Sequence, residues 1–382
     1  GKNYIIPSTF DPRLISVIPS AVAEAAIKSG VARKEIKDFD LYKDQLSNRL
    51  DPSMSLMQGI NAKIRKNPKR VIFAEGEDEN MLKAAIEFGR NKLGIPVLIG
   101  VEKRIRDQLK KIGLDENYKI EIINSTDKEK REKYVKHLYK KLQREGQLER
   151  DVDRLVRNDR IAWGSSMIAC KDADAMVTGN IRHYAASIEK LKRVVEARPG
   201  EEIFGMTMIV SKGKTILVAD TNVQDFPSSG RLVNVSKSCV RVARLFGFDP
   251  KVAFLSHSTF GKPISKNTKH VRDAIELLKE EKVDFDFDGE MQPDVALNPI
   301  YQEIYPFSKI VGNANILIMP ALHSAAISTK LMKVFGGGKL IGPLLIGLGL
   351  PIEVAPLRAS TSEILNLASI ASYSSDVIDY SD

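Results

Sequence analysis

From Val71 onward the sequence alternates short apolar runs with longer amphipathic stretches. Residues 71–74, 97–99 and 120–123 have the length and composition of buried strands. Each leads into a charged stretch in which apolar residues recur at helical spacing. Strands that alternate with amphipathic helices in this way are typical of an α/β domain with a largely parallel sheet. The sequence therefore predicts an α/β fold.

Two features indicate that this fold is divided into lobes. Residues 198–200, Arg-Pro-Gly, have the composition of a hinge, and residues 206–210 and 215–219 flank a polar turn as in a β-hairpin. The glycines at 336–338 indicate a flexible crossover between lobes. We predict three parts: residues 1–65, a first lobe of residues 66–197 with 339–382, and a second lobe of residues 198–338. A cleft between two such lobes is a common ligand site.

Residues 1–65 do not show the strand–helix alternation. They contain small helical pieces, one of them at residues 20–29, and end in a basic linker at 63–70. The sequence begins GKNYIIP, with no Met and no basic-then-apolar leader. We therefore expect a piece cut from a longer protein that is not secreted.

The composition is that of a soluble globular protein, with 28% charged and 43% hydrophobic residues. No apolar run reaches the roughly 20 residues that span a bilayer. The two cysteines, Cys170 and Cys239, form no metal-binding or disulfide pattern, and the histidines show no metal-ligand spacing. We expect a cytoplasmic protein with no bound metal and no membrane contact.

The net charge of +9 raises the question of a nucleic-acid partner. The densest basic run, residues 128–150, is interrupted by glutamates, and Tyr134, Leu138 and Leu142 recur every fourth residue. This spacing predicts an amphipathic helix with a charged, solvated face. Because no RNA- or DNA-binding motif accompanies it, we expect no nucleic-acid partner.

Two motifs resemble ion or nucleotide sites but lack a required residue. Residues 284–289, DFDFDG, begin like a calcium loop, but Val295 stands where the bidentate carboxylate is needed. Residues 336–339, GGGK, resemble a phosphate-binding loop, but Leu340 replaces the Ser or Thr that holds magnesium. Neither motif predicts a site.

Polar residues follow several of the predicted strands. In open α/β sheets, ligands bind beyond the carboxyl ends of the strands. For the run that starts at Ser256, an ordinary turn with a helix cap is the alternative explanation. The candidate ligand-binding residues are Thr178, Asn180, Asp220, Asn222, Ser256, His257, Ser258, Asp288, Glu290 and Arg358.

Two segments match a known family in sequence. Residues 342–364, GPLLIGLGLPIEVAPLRASTSEI, keep step without a gap with G-P-x-L-x-G-L-x-K-P-V-N-D-L-S-R-G-C-S-x-x-D/E-I, and residues 288–297, DGEMQPDVAL, match D-G-E-L-Q-x-D-A-A-L. Over residues 68–376 the chain thus resembles phosphate acetyltransferases. This resemblance implies the two-lobed α/β/α fold shared with isocitrate and isopropylmalate dehydrogenases. It also implies dimers and an interdomain cleft in which acetyl moves between coenzyme A and phosphate.

The chain departs from that family at the residues that carry its chemistry. Glu353-Val354 replaces an Asn-Asp pair, Pro356-Leu357 replaces a Ser-Arg pair, and Glu189 replaces an arginine, whereas Glu363 keeps a late carboxylate. Loss of such groups would cost several kcal/mol of transition-state stabilisation each. We therefore assign no catalytic residue and expect a cleft that still binds acetyl-CoA, with Arg358 as a possible anion partner.

Residues 3–7, 10–14, 19–26 and 29–32 resemble the end of the NAD(P)-binding domain of bacterial malic enzymes. Large two-module NADP-dependent malic enzymes carry an acetyltransferase-like domain after this segment. The resemblance implies an upstream malic domain that uses NADP and Mg²⁺ or Mn²⁺ to decarboxylate malate oxidatively to pyruvate. We expect no cofactor in the present chain itself.

These inferences predict a regulatory domain, without catalysis of its own, that senses acetyl-CoA for an NADP-dependent malic enzyme. Its expected partners are acetyl-CoA, the upstream malic domain and further copies of itself in a dimer or higher homo-oligomer. Two alternatives stay open. One is an active phosphate acetyltransferase, and the other is a purely architectural oligomerisation module.

Overall fold

Two separate sheets lie at the centre of the two lobes. The computed structural model describes residues 14–36, 38, 39, 42, 46, 52–115, 118–124, 127–211, 214–219, 225–263, 265–335, 339–378 and 380. The strands are β1 (Lys69–Phe73), β2 (Gly94–Ile99), β3 (Glu121–Ile123), β4 (Ala175–Gly179), β5 (Phe204–Ser211), β6 (Lys214–Ala219), β7 (Lys251–Leu255), β8 (Asp286–Met291), β9 (Ile316–Ile318), β10 (Lys339–Ile346) and β11 (Ile352–Ala355).

Helices connect these strands and cover both faces of the sheets. They are α1 (Leu14–Lys28), α2 (Pro52–Ile64), α3 (Glu79–Arg90), α4 (Glu102–Lys111), α5 (Lys128–Leu142), α6 (Glu149–Asn158), α7 (Arg160–Ala169), α8 (Tyr184–Val194), α9 (Ser229–Leu245), α10 (Lys269–Glu281), α11 (Pro293–Leu297), α12 (Leu322–Phe335) and α13 (Thr361–Val377). Short 3₁₀ turns follow α5, precede α10 and follow α11. This succession confirms the predicted α/β fold.

The first sheet is fully parallel, with strand order β11-β4-β1-β2-β3. The chain runs outward from β1 through β2 to β3 and then returns to the other side of β1 as β4. The direction of the strand order therefore reverses between β1 and β4. At such a point the loops after neighbouring strands diverge, which opens a crevice at their carboxyl ends.

The second sheet is mixed, with strand order β10-β5-β6-β9-β7-β8. β5 pairs antiparallel with both β10 and β6, and the remaining pairs are parallel. The β5–β6 hairpin confirms the hairpin predicted from the sequence. β9 inserts between β6 and β7, so the strand order of this sheet reverses between β7 and β9.

Polar caps and apolar faces explain where the helices of the first lobe lie. Asp78 caps α3 by accepting from the Met81 N–H, and α3 buries Leu82 and Phe88 against the sheet. Burial of one such large side chain contributes about 1.5–3 kcal/mol. The amphipathic helix predicted over residues 128–150 is α5, which ends earlier, at Leu142; it buries Tyr134 and Leu138 and exposes most of its lysines.

Two antiparallel chain segments connect the lobes. The Arg198 N–H donates to the Gly347 carbonyl at 2.9 Å, and the Gly349 N–H donates to the Glu196 carbonyl at 2.8 Å. The chain returns to the first lobe between β10 and β11. The predicted boundary at residue 339 therefore needs correction, because β10 pairs with β5 in the second sheet. The glycines at 336–338, predicted as the crossover, lie outside the described residues.

Among the described residues, none of the helices combines the length and the apolar character required to cross a bilayer. The predicted helical piece at residues 20–29 corresponds to α1, which is longer and begins at Leu14. α2, also from the N-terminal segment, packs against α13 of the first lobe.

Candidate functional site

A buried glutamate occupies the crevice at the reversal point of the first sheet. Glu75 follows β1 and is completely buried. Its carboxylate accepts from the Thr178 hydroxyl at 3.1 Å for each oxygen and from the Gly179 N–H at 3.0 Å. The Arg182 Nη2 atom lies 3.5 Å from Oε1. Burial raises the pKa of Glu75 to about 7, although Arg182, Thr178 and Gly179 favour the charged form.

Asn180 lies at the same end of the sheet and is 4% exposed. Its Nδ2 donates to Asp78 Oδ1 at 2.6 Å, and its carbonyl accepts from the Arg358 N–H at 3.0 Å. The Asn180 Oδ1 atom is buried and has no hydrogen-bond partner. A buried acceptor without a partner is costly unless water or a ligand supplies a donor. Thr178 and Asn180 are thus brought together here, whereas Arg358 joins them through its backbone N–H and its side chain is exposed.

A second buried glutamate occupies the corresponding region of the second sheet. Glu290, in β8, is 1% exposed and accepts from the Ser258 hydroxyl at 2.8 Å and from the Gly261 N–H at 3.0 Å. The Arg272 Nη1 atom lies 3.4 Å from the same oxygen. Ser256 Oγ lies 3.3 Å from Ser258 Oγ. The structure therefore groups the predicted residues Ser256, Ser258 and Glu290.

The two lobes use the same arrangement at their strand ends. In each lobe a buried glutamate is held by a hydroxyl, a glycine N–H and an arginine that is partly exposed. The hydroxyls of Thr178 and Ser258 are occupied by these carboxylates, so the groups that can reach a ligand are the arginines and Asn180 Oδ1.

The remaining predicted site residues have different surroundings. His257 is exposed, and its backbone carbonyl accepts from Gln292 Nε2 at 2.7 Å. Asp288 is partly exposed and accepts from the adjacent Gly289 N–H at 2.9 Å. Asp220 and Asn222 lie outside the described residues.

An open cleft of about 650 Å³ lies at the start of α13. It is lined by residues of α2, of the second lobe and of α13, among them Asn61, Lys333, Lys339, Ser360, Ser362 and Glu363. This volume is within the usual range for small-molecule sites. Lys333 and Lys339 belong to the second lobe, and Ser360 and Glu363 belong to the first. The cleft therefore lies between the lobes.

Glu363 is already engaged within this cleft. Its carboxylate accepts from the Ser360 N–H at 2.8 Å in a capping box and lies 2.9 Å from the Lys333 ammonium. Burial alone would raise the pKa of Glu363, but the Ser360 N–H and Lys333 hold it below its ordinary value. The carboxylate is thus charged and neutralised by its neighbours. Such a group is poorly suited to accept a proton from a substrate near neutral pH.

The residues at the positions where the resemblance leads one to expect the transferase pairs offer little polar chemistry. Leu357 is 43% exposed, and Pro356 has no N–H to donate. Glu353 is a buried residue of β11. Glu189, which the resemblance places where an arginine is expected, lies on the exposed face of α8. Among the described histidines, cysteines, aspartates and glutamates, no group of three is placed to hold a metal ion.

Five residues of these sites were not predicted from the sequence: Glu75, Arg182, Arg272, Lys333 and Lys339. A signal for Glu75 was present, because it directly follows the strand predicted at 71–74. The arginines and lysines carry no local signal, since their positions relative to the two glutamates depend on the packing of distant segments.

Comparison with known proteins agrees with this architecture. The phosphate acetyl/butaryl transferase family profile matches residues 55–372. The phosphotransacetylase of Streptococcus pyogenes superposes with a TM-score of 0.76 at 28% identity, covering 84% of this chain and 98% of that one. The phosphate acetyltransferase of Clostridium acetobutylicum is 29% identical over 83% of this chain and 97% of its own length.

Higher identity is found with a longer enzyme. The NADP-dependent malic enzyme of Rhizobium meliloti is 44% identical over 98% of this chain but only 49% of its own length. That of Escherichia coli is 35% identical over 97% of this chain and 50% of its length. The chain therefore spans about half the length of the malic enzymes that it matches. By its fold and by the profile that covers most of its residues, the chain belongs to the phosphate acetyl/butaryl transferase family.

Proposed function

We propose that this chain is a regulatory module of an NADP-dependent malic enzyme that binds acetyl-CoA without transferring its acetyl group. The observation that carries this proposal is the lack of available reactive side chains in the segment from Glu353 to Glu363. The fold around it is retained, whereas Pro356 and Leu357 offer no hydroxyl or cation, and Lys333 and Ser360 engage Glu363. A pocket that persists after loss of its reactive groups suits ligand sensing better than catalysis.

The charge around the candidate site supports an anionic ligand. Lys333 and Lys339 line the cleft, and Arg182 and Arg272 are partly exposed at the strand ends of the two lobes. Coenzyme A thioesters carry several phosphates, which cationic side chains attract. Because the cleft has walls from both lobes, ligand binding favours one relative position of the lobes over another and so biases the enzyme to which the module belongs.

The regulatory step takes place in the full-length enzyme. The malic enzymes related to this chain are about twice its length. In the proposal, the other half carries NADP, the divalent metal and malate decarboxylation, and the present module transmits the presence of acetyl-CoA to it. Titration of the full-length enzyme with acetyl-CoA, with and without this module, tests that transmission. An unchanged response to acetyl-CoA after removal of the module contradicts it.

An active phosphate acetyltransferase is the first alternative. It is favoured by the transferase relatives, whose lengths match the family region almost completely. The test is acetyl phosphate formation by the purified chain from acetyl-CoA and inorganic phosphate. Turnover of about 10 per second, which is ordinary for an enzyme, would establish this alternative. We expect no turnover above the background.

A purely architectural module is the second alternative, and one surface favours it. On α12 the exposed residues Ile327, Leu331 and Val334 are 59%, 52% and 74% accessible, and they form an apolar stripe. Such a stripe suits contact with another subunit. Isothermal titration calorimetry with acetyl-CoA separates the two functions. Absence of heat and of a thermal shift at millimolar ligand would favour the architectural function.

A further inference from the structure

We propose that Arg182 binds an anionic phosphate group of the ligand and that Glu75 controls this binding by taking up a proton. This inference rests on the proposed function and adds a proton-linked subsite to it. The subsite lies at the carboxyl ends of β1 and β4, where the strand order of the first sheet reverses. This crevice is the place at which open α/β sheets bind ligands.

The geometry of the subsite separates a buried anion from a reachable cation. The Glu75 side chain is 0% exposed, whereas that of Arg182 is 25% exposed. Of these two groups, the guanidinium is therefore the one that can contact a ligand from solvent. At 3.5 Å the two groups are close enough to neutralise each other, but too far apart for a short bidentate pair. Part of the guanidinium's hydrogen-bonding capacity is thus left for another anion.

A second observation points to a bound group at this place. Asn180 is 4% exposed, and its Oδ1 atom has no partner although its Nδ2 donates to Asp78. A protonated phosphate oxygen, a ligand hydroxyl or an amide could donate to this acceptor. Asn180 and Arg182 are two residues apart on the loop that follows β4, and the proposal places one ligand against both.

The protonation state of Glu75 decides whether Arg182 is available. When the carboxylate is charged, it attracts the guanidinium and repels an incoming anion. When it is protonated, both effects vanish and the guanidinium is free to bind phosphate. Burial opposes the charged form, which brings the pKa of Glu75 to about 7. The other cation that acts on Glu75, Arg160 of α7, is paired with Glu77 at 3.1 Å and is held in place.

The expected consequence is a fall in affinity as pH rises. With a pKa of about 7, the protonated fraction of Glu75 falls from about nine-tenths at pH 6 to about one-tenth at pH 8. Affinity for acetyl-CoA should therefore decrease about tenfold over this interval, and binding at pH 7, where about half of Glu75 is already protonated, should take up about half a proton. The second ionisation of a phosphate monoester, near pH 6, makes the ligand more negative and would by itself raise the affinity as pH rises.

The test is isothermal titration calorimetry of the whole chain with acetyl-CoA at pH 6, 7 and 8 and constant ionic strength. Repeating the pH 7 titration in buffers of different ionisation enthalpy gives the number of protons taken up. We compare the parent with Glu75→Gln and Arg182→Gln. Arg106→Gln serves as the matched control, because Arg106 is similarly exposed, at 29%, and pairs on the surface of α4 with Glu102.

The inference predicts a distinct result for each variant. Glu75→Gln should bind at pH 8 as tightly as the parent does at pH 6 and should take up no proton. Arg182→Gln should lose about tenfold in affinity at pH 6 and little at pH 8, and Arg106→Gln should match the parent. If Glu75→Gln does not fold, proton uptake still tests the inference. The parent should take up protons on binding acetyl-CoA at pH 7, and Arg182→Gln, whose binding no longer depends on pH, should not.

Two other outcomes separate this inference from the proposed function. If the parent binds acetyl-CoA with no proton uptake and with the same pH profile as Glu75→Gln, the inference is overturned and the proposed function stands. If the parent binds no acetyl-CoA at any of the three pH values, the proposed function is overturned, and the inference with it.

Discussion

The buried carboxyl group of Glu353 accepts a hydrogen bond from the backbone N–H of Leu345 at 2.9 Å, and this contact joins the first sheet to the second. Glu353 belongs to β11, and Leu345 belongs to β10. A narrow cavity of about 30 Å³ beside it is also lined by Arg198, Arg241 and Tyr380. Burial raises the pKa of Glu353 to about 8, with only the Leu345 N–H favouring the charged form. The carboxyl is therefore protonated at neutral pH.

This contact makes the stability of the protein depend on pH. In the unfolded chain the Glu353 carboxyl has its ordinary pKa of 4.5, so between pH 4.5 and about 8 the folded state keeps a proton that the unfolded state releases. The stability that the protonated Glu353 carboxyl contributes is fully present below pH 4.5 and is lost as pH rises toward 8. Glu353→Gln keeps a neutral group of the same shape. Its stability relative to the parent should rise by about 1 kcal/mol per pH unit from 5 to 8.

Denaturant unfolding of the parent and Glu353→Gln at pH 5, 6, 7 and 8 measures this difference. Glu303→Gln, at an exposed position, is the control and should follow the parent at every pH. Glu75 contributes equally to the parent and to both variants, so its titration cancels in the comparison. Parallel curves for the parent and Glu353→Gln would show that Glu353 is ionised in the folded protein.

Ser258 should be important for stability because it donates to a buried carboxylate. Ser258→Ala removes the 2.8 Å hydrogen bond to Glu290 and leaves that oxygen only the Gly261 N–H and the more distant Arg272. A lost bond to a buried charged group costs about 1–3 kcal/mol. Ser375→Ala is the control, since its hydroxyl bonds only within α13. Equal unfolding midpoints for the two variants would contradict the assigned role of Ser258.

Much of the fold could be predicted from the sequence because local patterns determine local structure. The run at 71–74 is apolar and precedes an Asp78 cap, and the polar turn between residues 211 and 214 fixes a hairpin. The pairing of strands cannot be obtained in this way. The apolar composition of residues 339–346 suits either sheet, and its antiparallel pairing with β5 depends on residues more than 120 positions away.

For the candidate site, some of the residues could be predicted from the sequence, but their contacts could not. Thr178 and Ser258 were found because each follows a strand predicted from the sequence, although Thr178 lies within β4, and polar residues at strand ends commonly face a ligand. Their hydrogen bonds to Glu75 and Glu290 were not foreseen, because a hydroxyl that binds a ligand and one that holds a buried carboxylate look alike in sequence. The position of Arg182 beside Glu75 depends on the placement of β4 next to β1, which is a property of the sheet.

Lys333 and Glu363 form a contact between the lobes that should contribute little to stability by itself. The two side chains are 61% and 33% exposed, and exposed ion pairs contribute about 0.2–1 kcal/mol. Lys333→Ala should therefore shift the unfolding free energy by less than about 1 kcal/mol. Glu363→Ala should cost more, about 1–2 kcal/mol, because it also removes the capping box with Ser360.

Glu363→Gln separates the two contributions of this residue, since glutamine can complete a capping box but carries no charge. Its stability should lie close to that of Lys333→Ala. Chemical denaturation of the three variants in low and high salt provides the measurement, and only the ion-pair contribution should depend on salt. If Lys333→Ala costs as much as Glu363→Ala, the ion pair rather than the cap stabilises the start of α13.

Gly347 is the position between the lobes at which a side chain is least tolerated. Its φ is +83°, and an added Cβ would overlap the carbonyl of Glu202 on the neighbouring connecting segment. Because the overlapped atoms belong to backbone, they cannot move aside as the end of a flexible side chain could, and the hydrogen bond from the Arg198 N–H to the Gly347 carbonyl holds the two segments together. Gly347→Ala should cost about 3 kcal/mol or more, from the left-handed conformation and the overlap together.

Gly230→Ala is the matched control, because nothing lies within 4 Å of its added Cβ and the residue is in the first turn of α9. Alanine there should be neutral or should stabilise by up to about 1 kcal/mol, through helix propensity and the entropy of the unfolded chain. Thermal unfolding of the two variants gives the comparison directly. If Gly347→Ala melts within a degree or two of Gly230→Ala, the two connecting segments are loosely packed, and the lobes are free to move without repacking at this junction.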